Sequence, residues 1–237
     1  TVKGTDGKWY QEDGSASDTE YVLKVKANES IMLSNLPVGT YTVEEKAAKA
    51  AIDGYSLIAT GTGNVTVVKD ETAKANVVNK YSQDKGSLVI RKTVEGVDAT
   101  GKEFQFTVKG TDGKWYQEDG SASDTEYVLR VKANESIMLS NLPVGTYTVE
   151  EKAAEAALEG YSLSVTGTGN VTVVKDETAK ADVVNSYSQD KGSLVIRKTV
   201  EGADATGKEF QFTVKGTDGK WYQEDGSASD TEYVLKV

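Results

Sequence analysis

The sequence predicts an all-β protein made of tandem repeats of 106 residues, each a small sandwich or barrel. Three observations lead there. The segment TVKGTDGKWYQEDGSASDTEYVL begins at Thr1, again at Thr107 and again at Thr213. Residues 1–106 and 107–212 differ at nine positions, among them Lys24/Arg130, Lys49/Glu155, Ile52/Leu158, Ile58/Ser164, Asn76/Asp182 and Lys80/Ser186. Within each copy, short segments rich in Val, Thr and aromatic residues alternate polar with apolar and are separated by Asp-Gly and Gly-Thr-Gly turns. Such a period is one small domain long, well above the ~20–50 residues of a solenoid repeat.

The polar stretch Tyr81-Ser82-Gln83-Asp84-Lys85-Gly86 recurs as Tyr187-Ser188-Gln189-Asp190-Lys191-Gly192, and each copy is followed by Ser-Leu-Val-Ile-Arg-Lys-Thr-Val. Polar, Gly-containing stretches with few core residues are where domain boundaries fall. On that register residues 85–190 are a complete unit, 1–84 a unit lacking its first strand or two, and 191–237 the opening part of a further unit. The chain reads as a window on a longer array.

Strands are predicted in order over residues 88–94, 103–108, 126–131, 146–151, 170–174 and 181–185, from alternation at period two. The alanine-rich segment Lys152-Ala153-Ala154-Glu155-Ala156-Ala157-Leu158 is the exception and predicts one or two helical turns that connect strands.

Composition removes much ordinary chemistry. There are 37 acidic and 27 basic side chains, a net charge of −10. That balance disfavours nucleic acid and anionic membrane as partners, since Lys and Arg on phosphates supply the sequence-independent affinity. No cysteine and no histidine are present, which removes disulfides, thiolate nucleophiles, Cys-ligated zinc and the commonest general base. No apolar run approaches the ~18 residues of a membrane span, and no secretory leader is read at Thr1-Val2-Lys3. No cofactor is expected.

Alternation places three polar residues on inward faces. Leu88, Ile90, Lys92 and Val94 share one face of their strand; Tyr147, Val149 and Glu151 share another, with Thr148 and Glu150 outward; Val183 and Asn185 share a third. Each lies near a strand end, where a long side chain can reach water. If all three are buried, each needs a partner. Burial lowers a lysine pKa and raises a glutamate pKa, which favours a neutral amine beside a neutral acid. A neutral amine is a nucleophile, and a hydrogen-bonded carboxamide carbon is an electrophile.

The unit resembles the Cna B-type (SpaA/Spy-type pilin) immunoglobulin-like domains of Gram-positive surface adhesins and pili. The pieces that carry the resemblance are Gly86-Ser87-Leu88-Val89-Ile90-Arg91-Lys92-Thr93-Val94, Phe104-Gln105-Phe106-Thr107-Val108, Leu142-Pro143-Val144-Gly145-Thr146-Tyr147-Thr148-Val149-Glu150-Glu151, Gly160-Tyr161 and Val183-Val184-Asn185-Ser186-Tyr187. Together they span 85–190. The resemblance implies an immunoglobulin-like, prealbumin-like β-sandwich and a self-made isopeptide bond between Lys92 and Asn185, with Glu151 as catalyst and Glu150 as its reserve. Such a step turns over once and has no external substrate, so no enzyme is expected. Residues 1–84 hold Glu45 and Asn79 at the equivalent positions but no matching lysine, and 191–237 hold Lys198 alone. One bond per chain is expected.

The resemblance further implies a structural stalk or spacer of an extracellular, cell-wall-anchored adhesin or pilus-like protein. Its partners would be neighbouring repeats of the chain, with host ligands met through a tip outside this sequence. The alternative is a repeated module that binds carbohydrate or a host matrix protein, for which Trp9, Trp115 and Trp221 are the candidate platforms. Leu36-Pro37-Val38-Gly39-Thr40 and Leu142-Pro143-Val144-Gly145-Thr146 resemble a sortase signal only in composition and read as turns. Asp119-Gly120-Ser121-Ala122-Ser123-Asp124-Thr125-Glu126 offers oxygen ligands without EF-hand spacing and reads as a solvated hairpin loop, with no metal expected. Asn64-Val65-Thr66 and Asn28-Glu29-Ser30 fit a glycosylation pattern that means little in a bacterial protein.

Overall fold

The computed structural model describes residues 1–236, which form two compact units, Thr1–Asp190 and a second beginning at Lys191. Through residues 1–84 the elements are β1 (Val2–Gly4), β2 (Trp9–Tyr10), β3 (Ala16–Ser17), β4 (Gly39–Val43), α1 (Ala47–Ala50), β5 (Tyr55–Thr60), β6 (Gly63–Val67) and β7 (Val78–Gln83). Then follow β8 (Lys85–Glu95), β9 (Glu103–Gly110), β10 (Trp115–Tyr116), β11 (Ala122–Ser123), β12 (Leu129–Lys132), β13 (Ser136–Pro143), β14 (Gly145–Glu151), α2 (Ala153–Ala156), β15 (Tyr161–Thr166), β16 (Gly169–Val173) and β17 (Thr178–Gln189). The second unit holds β18 (Gln211–Phe212), β19 (Trp221–Tyr222), β20 (Ala228–Ser229) and β21 (Leu235–Lys236).

The segment 85–190 is a two-sheet sandwich. One sheet runs β11-β10-β9-β14-β16, with β12 also paired to β9; the other runs β13-β8-β17-β15. All pairings but one are antiparallel. The exception is β8 with β17, parallel from Thr178↔Ser87 to Ser186↔Glu95, so the opening and closing strands of the repeat lie side by side. Between the sheets Leu88, Ile90, Phe104, Phe106, Leu129, Leu139, Leu142, Val149 and Val183 are all but fully buried. Burial of each such side chain contributes about 1.5–3 kcal/mol relative to exposure.

All six predicted strands form, with altered limits. The first and last extend to Lys85–Glu95 and Thr178–Gln189, because each is also paired on its other side, β8 with β13 as far as Lys85 and β17 with β15 as far as Gln189. The strand expected at 126–131 begins only at Leu129, where pairing with Phe106 of β9 starts. The connecting helix is a single turn, Ala153–Ala156. Four strands were not among those expected: the two-residue β10 and β11, which form a hairpin, and the longer β13 and β15. In β13 the register shifts between Leu139 and Leu142, so its inward residues lose the two-residue spacing. In β15 Tyr161, Leu163 and Val165 alternate plainly with polar residues, and the signal is visible in retrospect.

Residues 1–84 form the equivalent first sheet, β3-β2-β1-β4-β6, whereas the second is reduced to β5-β7. In the complete repeat β8 lies between β13 and β17. Among the described residues no strand takes that place beside β7, and residues 30–37, equivalent to β13, form no ladder. Val77 and Val78 are correspondingly exposed, at 38% and 56%, where their counterparts Val183 and Val184 are buried and half-buried.

The stretch read as a polar boundary is ordered on both sides: β7 ends at Gln83, β8 begins at Lys85, and Asp84 alone connects them. No helix among the described residues is long and apolar enough to cross a membrane.

Candidate functional site

Lys92 sits near the end of β8, Glu151 ends β14 and Asn185 lies on β17, so both sheets contribute. The parallel register sets Val183 opposite Lys92 and Asn185 opposite Val94, two residues further along the neighbouring strand. Side chains two residues apart share a face. Lys92 and Asn185 therefore enter the same layer of the interior, and both are 0% exposed. Across the sandwich, β14 pairs with β9 so that Glu151 lies opposite Phe106. Its side chain is 1% exposed.

Glu151 bridges the other two. Lys92 Nζ donates to Glu151 Oε2 at 3.3 Å, and Asn185 Nδ2 donates to Glu151 Oε1 at 2.9 Å. Asn185 Oδ1 is buried and has no hydrogen-bond partner. A buried carbonyl without a donor costs roughly 1–3 kcal/mol, so this atom is the site's conspicuous unmet demand. Lys92 Nζ also lies 4.7 Å from the centre of the Phe104 ring. Burial lowers the Lys92 amine below the ordinary value of 10.5, and the Glu151 charge and hydrogen bond offset only part of that shift. The amine is thus easier to deprotonate than a surface lysine.

Glu150, the reserve carboxylate, is exposed and lies opposite Thr107. Inward parity at the end of β14 selects Glu151. Two neighbours of the cluster were not singled out as site residues in the sequence. Phe104 forms an apolar wall beside the amine, and Tyr187 closes one side by donating to Ala156 O at 2.6 Å. Burial, more than any other cause, raises the Tyr187 pKa. Both share the inward parity of their strands, so alternation was the signal that could have found them.

In residues 1–84 the same pair forms without a lysine. Asn79 Nδ2 donates to Glu45 Oε1 at 2.8 Å, and Asn79 Oδ1 is buried without a partner. Here Glu45 is exposed and Asn79 half-buried. Lys198, in the second unit, is exposed; its Nζ donates to Thr199 O at 2.6 Å and lies 4.8 Å from the Phe210 ring centre.

Each tryptophan is half-buried and carries a lysine of its own repeat over its ring. Lys3 Nζ lies 4.3 Å from the Trp9 ring centre, Lys109 Nζ 4.3 Å from that of Trp115 and Lys215 Nζ 4.9 Å from that of Trp221. The Asp119–Glu126 stretch is the β10-β11 hairpin, in which Asp119 Oδ1 accepts from Ser121 N at 2.8 Å. Among the described residues no group of three or more acidic side chains is placed to hold a metal ion. Pro143 ends β13 and Gly145 begins β14, and Tyr147 OH donates across that turn to Pro143 O at 2.6 Å.

Fold and site define a tandem β-sandwich protein whose opening and closing strands lie parallel and whose core holds a Lys–Glu–Asn cluster. The chain belongs to the family described as a domain of unknown function, DUF5979, which matches residues 10–82 and 88–188. No curated protein matches it. Among solved structures it is similar to the major pilin from Streptococcus pyogenes, at 18% identity and a TM-score of 0.43, covering 78% of this chain and 89% of the pilin. It is also similar to GBS52, the minor pilin of Streptococcus agalactiae, at 17% identity and a TM-score of 0.34, covering 70% of this chain and 66% of that one. A pilus-presented adhesin, Spy0125, is 24% identical with a TM-score of 0.32 over 43% of this chain, which spans 27% of the adhesin's length.

Proposed function

We propose that this chain is a structural stalk or spacer of a bacterial surface adhesin or pilus-like protein, and that each complete repeat locks itself with a Lys–Asn isopeptide bond. The observation that supports this is the Glu151 carboxylate, buried and hydrogen-bonded to Lys92 Nζ through one oxygen and to Asn185 Nδ2 through the other.

The chemistry follows from those contacts. Neutral Lys92 Nζ attacks Asn185 Cγ, and the new C–N bond drives the carbonyl electrons onto Oδ1. Glu151 takes the proton from Nζ and delivers it to Nδ2, which its other oxygen already contacts. The Cγ–Nδ2 bond breaks, the carbonyl re-forms and ammonia leaves. Folding holds the reactants together, so the entropy of bringing amine to amide is already met before the step begins.

A bond between adjacent parallel strands also has a mechanical consequence. In a tandem array, tension enters a repeat through β8 and leaves through β17. A covalent link between them carries that tension past the fold, and the sheets need not be sheared. An amide resists thiols, as a cysteine-free chain on a cell surface would require. The anchor to a cell wall and any adhesive tip belong to this reading as expectations of the whole protein. Intact-mass measurement on the folded chain tests the chemistry: loss of one ammonia supports it, and the full unreacted mass removes it.

A further inference from the structure

We propose that the boundary between successive repeats is a built head-to-tail joint, with an acceptor face at the end of one repeat and a donor face at the start of the next. The partner that fits the acceptor face is a further repeat of this same sequence. The proposal does not depend on the Lys92–Asn185 bond.

Asp84 is the pivot. Its N–H donates to Gly54 O at 2.8 Å on the preceding side, and its C=O accepts from Val144 N at 3.1 Å on the following side. Its carboxylate accepts from Ser56 Oγ and pairs with Lys175 Nζ at 3.0 Å, while Lys175 also donates to Ser56 Oγ. A residue 119 positions along the chain thus closes on a serine of the repeat before it. The Asp84 side chain is only 18% exposed, and the Ser56 hydrogen bond, followed by Lys175, holds its carboxyl below the usual carboxylate range. Beside this group, Val144 packs against the Gly54 backbone; a Cβ added at Gly54 would meet Val144 Cγ2 at 3.4 Å. Because Asp84 is the only residue between β7 and β8, there is no slack for the two sandwiches to drift apart.

Residues 1–84 give a comparison in which, among the described residues, neither a preceding acceptor face nor a strand equivalent to β8 lies beside the turn at Val38. Val38 and Lys69 are the counterparts of Val144 and Lys175. There Val38 is 65% exposed, whereas Val144 is half-buried. Within Thr1–Asp190, the end of the complete repeat carries the same acceptor residues. Ser162 Oγ donates to Asp190 Oδ1 at 2.6 Å, and Asp190 N donates to Gly160 O at 2.9 Å. The same three residue types, Gly, Ser and Asp, thus make the same contacts at the end of both repeats. Flexible polar linkers are the usual form of such boundaries, and a one-residue connection with a half-buried, paired carboxylate is the opposite solution.

The chain has no cysteine, so Asp18→Cys and Asp124→Cys place one spin label on each side of the joint at positions 87% exposed. Electron–electron dipolar spectroscopy on the full chain should give a single narrow distance peak. Asp84→Asn and Lys175→Met, checked by circular dichroism to retain the fold, should each lose that peak, and the double variant should be no broader than either. The exchange Asp84→Lys with Lys175→Asp should recover it. A wild-type distribution as broad as the variants', or broadening by the two single variants that simply adds, would overturn the joint.

Discussion

Asn185 donates its side-chain N–H to Glu151 Oε1 at 2.9 Å, yet its own Oδ1 is buried with no hydrogen-bond partner. The amide is held by the atom that would leave and left bare at the atom that would take negative charge. A carboxamide kept only for stability would be expected to satisfy both ends. Asn79 Oδ1 is bare in the same way beside Glu45, where no lysine stands, so the bare oxygen belongs to the Glu–Asn pair, and the buried amine of Lys92 is what residues 85–190 add.

The first expectation concerns mass. One C–N bond replaces another with release of ammonia, so the folded chain should weigh about 17 Da less than its sequence, once and not twice. Residues 1–84 lack a lysine beside Glu45 and Asn79, which sets the count at one. Peptide mapping should recover the residues around Lys92 and Asn185 as one branched peptide.

Glu151 should be indispensable and Glu150 dispensable. Glu151→Ala removes the carboxylate that is hydrogen-bonded to both reactants and should abolish the mass loss. Glu150→Ala removes an exposed side chain and should leave it intact. Reaction in the Glu151 variant with none in the Glu150 variant would reverse the assignment.

The reaction should be favoured by rising pH. Burial lowers the Lys92 pKa below 10.5, so the nucleophilic amine is populated at lower pH than on a surface lysine. The rate of mass loss after refolding should fall as pH drops through that lowered value and level off above it. In Asn185→Ala, where the amine persists, the unfolded chain binds a proton up to 10.5 and the folded chain only to the lowered value. Between the two the unfolded state holds more protons, so raising the pH should increase stability there.

Loss of the cross-link should be costly. Lys92 and Asn185 enclose a loop of 93 residues. Closing a loop of ~100 residues restricts the unfolded chain by roughly 4–5 kcal/mol on the chain-entropy view. Asn185→Ala should therefore lower the unfolding midpoint markedly, in calorimetry or in guanidinium, and should make the repeat sensitive to trypsin. A midpoint unchanged by this substitution would show that the bond does not form.

Alignment of the two strands should matter as much as the reactive groups. Gly96 follows β8 with a φ of 83°, and a Cβ there would meet Tyr187 O at 1.9 Å. Gly96→Ala should push β8 from β17 and slow the mass loss even though Lys92, Glu151 and Asn185 are untouched.

The inward stripe of β8 was legible because Leu88, Ile90 and Lys92 keep strict alternation, and the same holds for Tyr147, Val149 and Glu151. β13 was not legible, because the irregularity between Leu139 and Leu142 moves its buried residues off the two-residue period. The polar stretch around Asp84 read as a domain boundary with few core residues. Its polarity instead serves hydrogen bonds to Gly54, Ser56, Val144 and Lys175, partners too distant in sequence for any local pattern to indicate.

Repetition, the all-β class and the inward parity of Lys92, Glu151 and Asn185 are properties of residue order, since the period of a strand is local and needs no knowledge of its neighbours. Whether those three inward side chains meet depends on which strands become neighbours. That was decided by the parallel pairing of β8 with β17 and by the packing of β14 across the core, contacts between segments some 34 to 93 residues apart. Burying the far ends of the repeat against each other is what turned three separate polar residues into one water-excluded cluster.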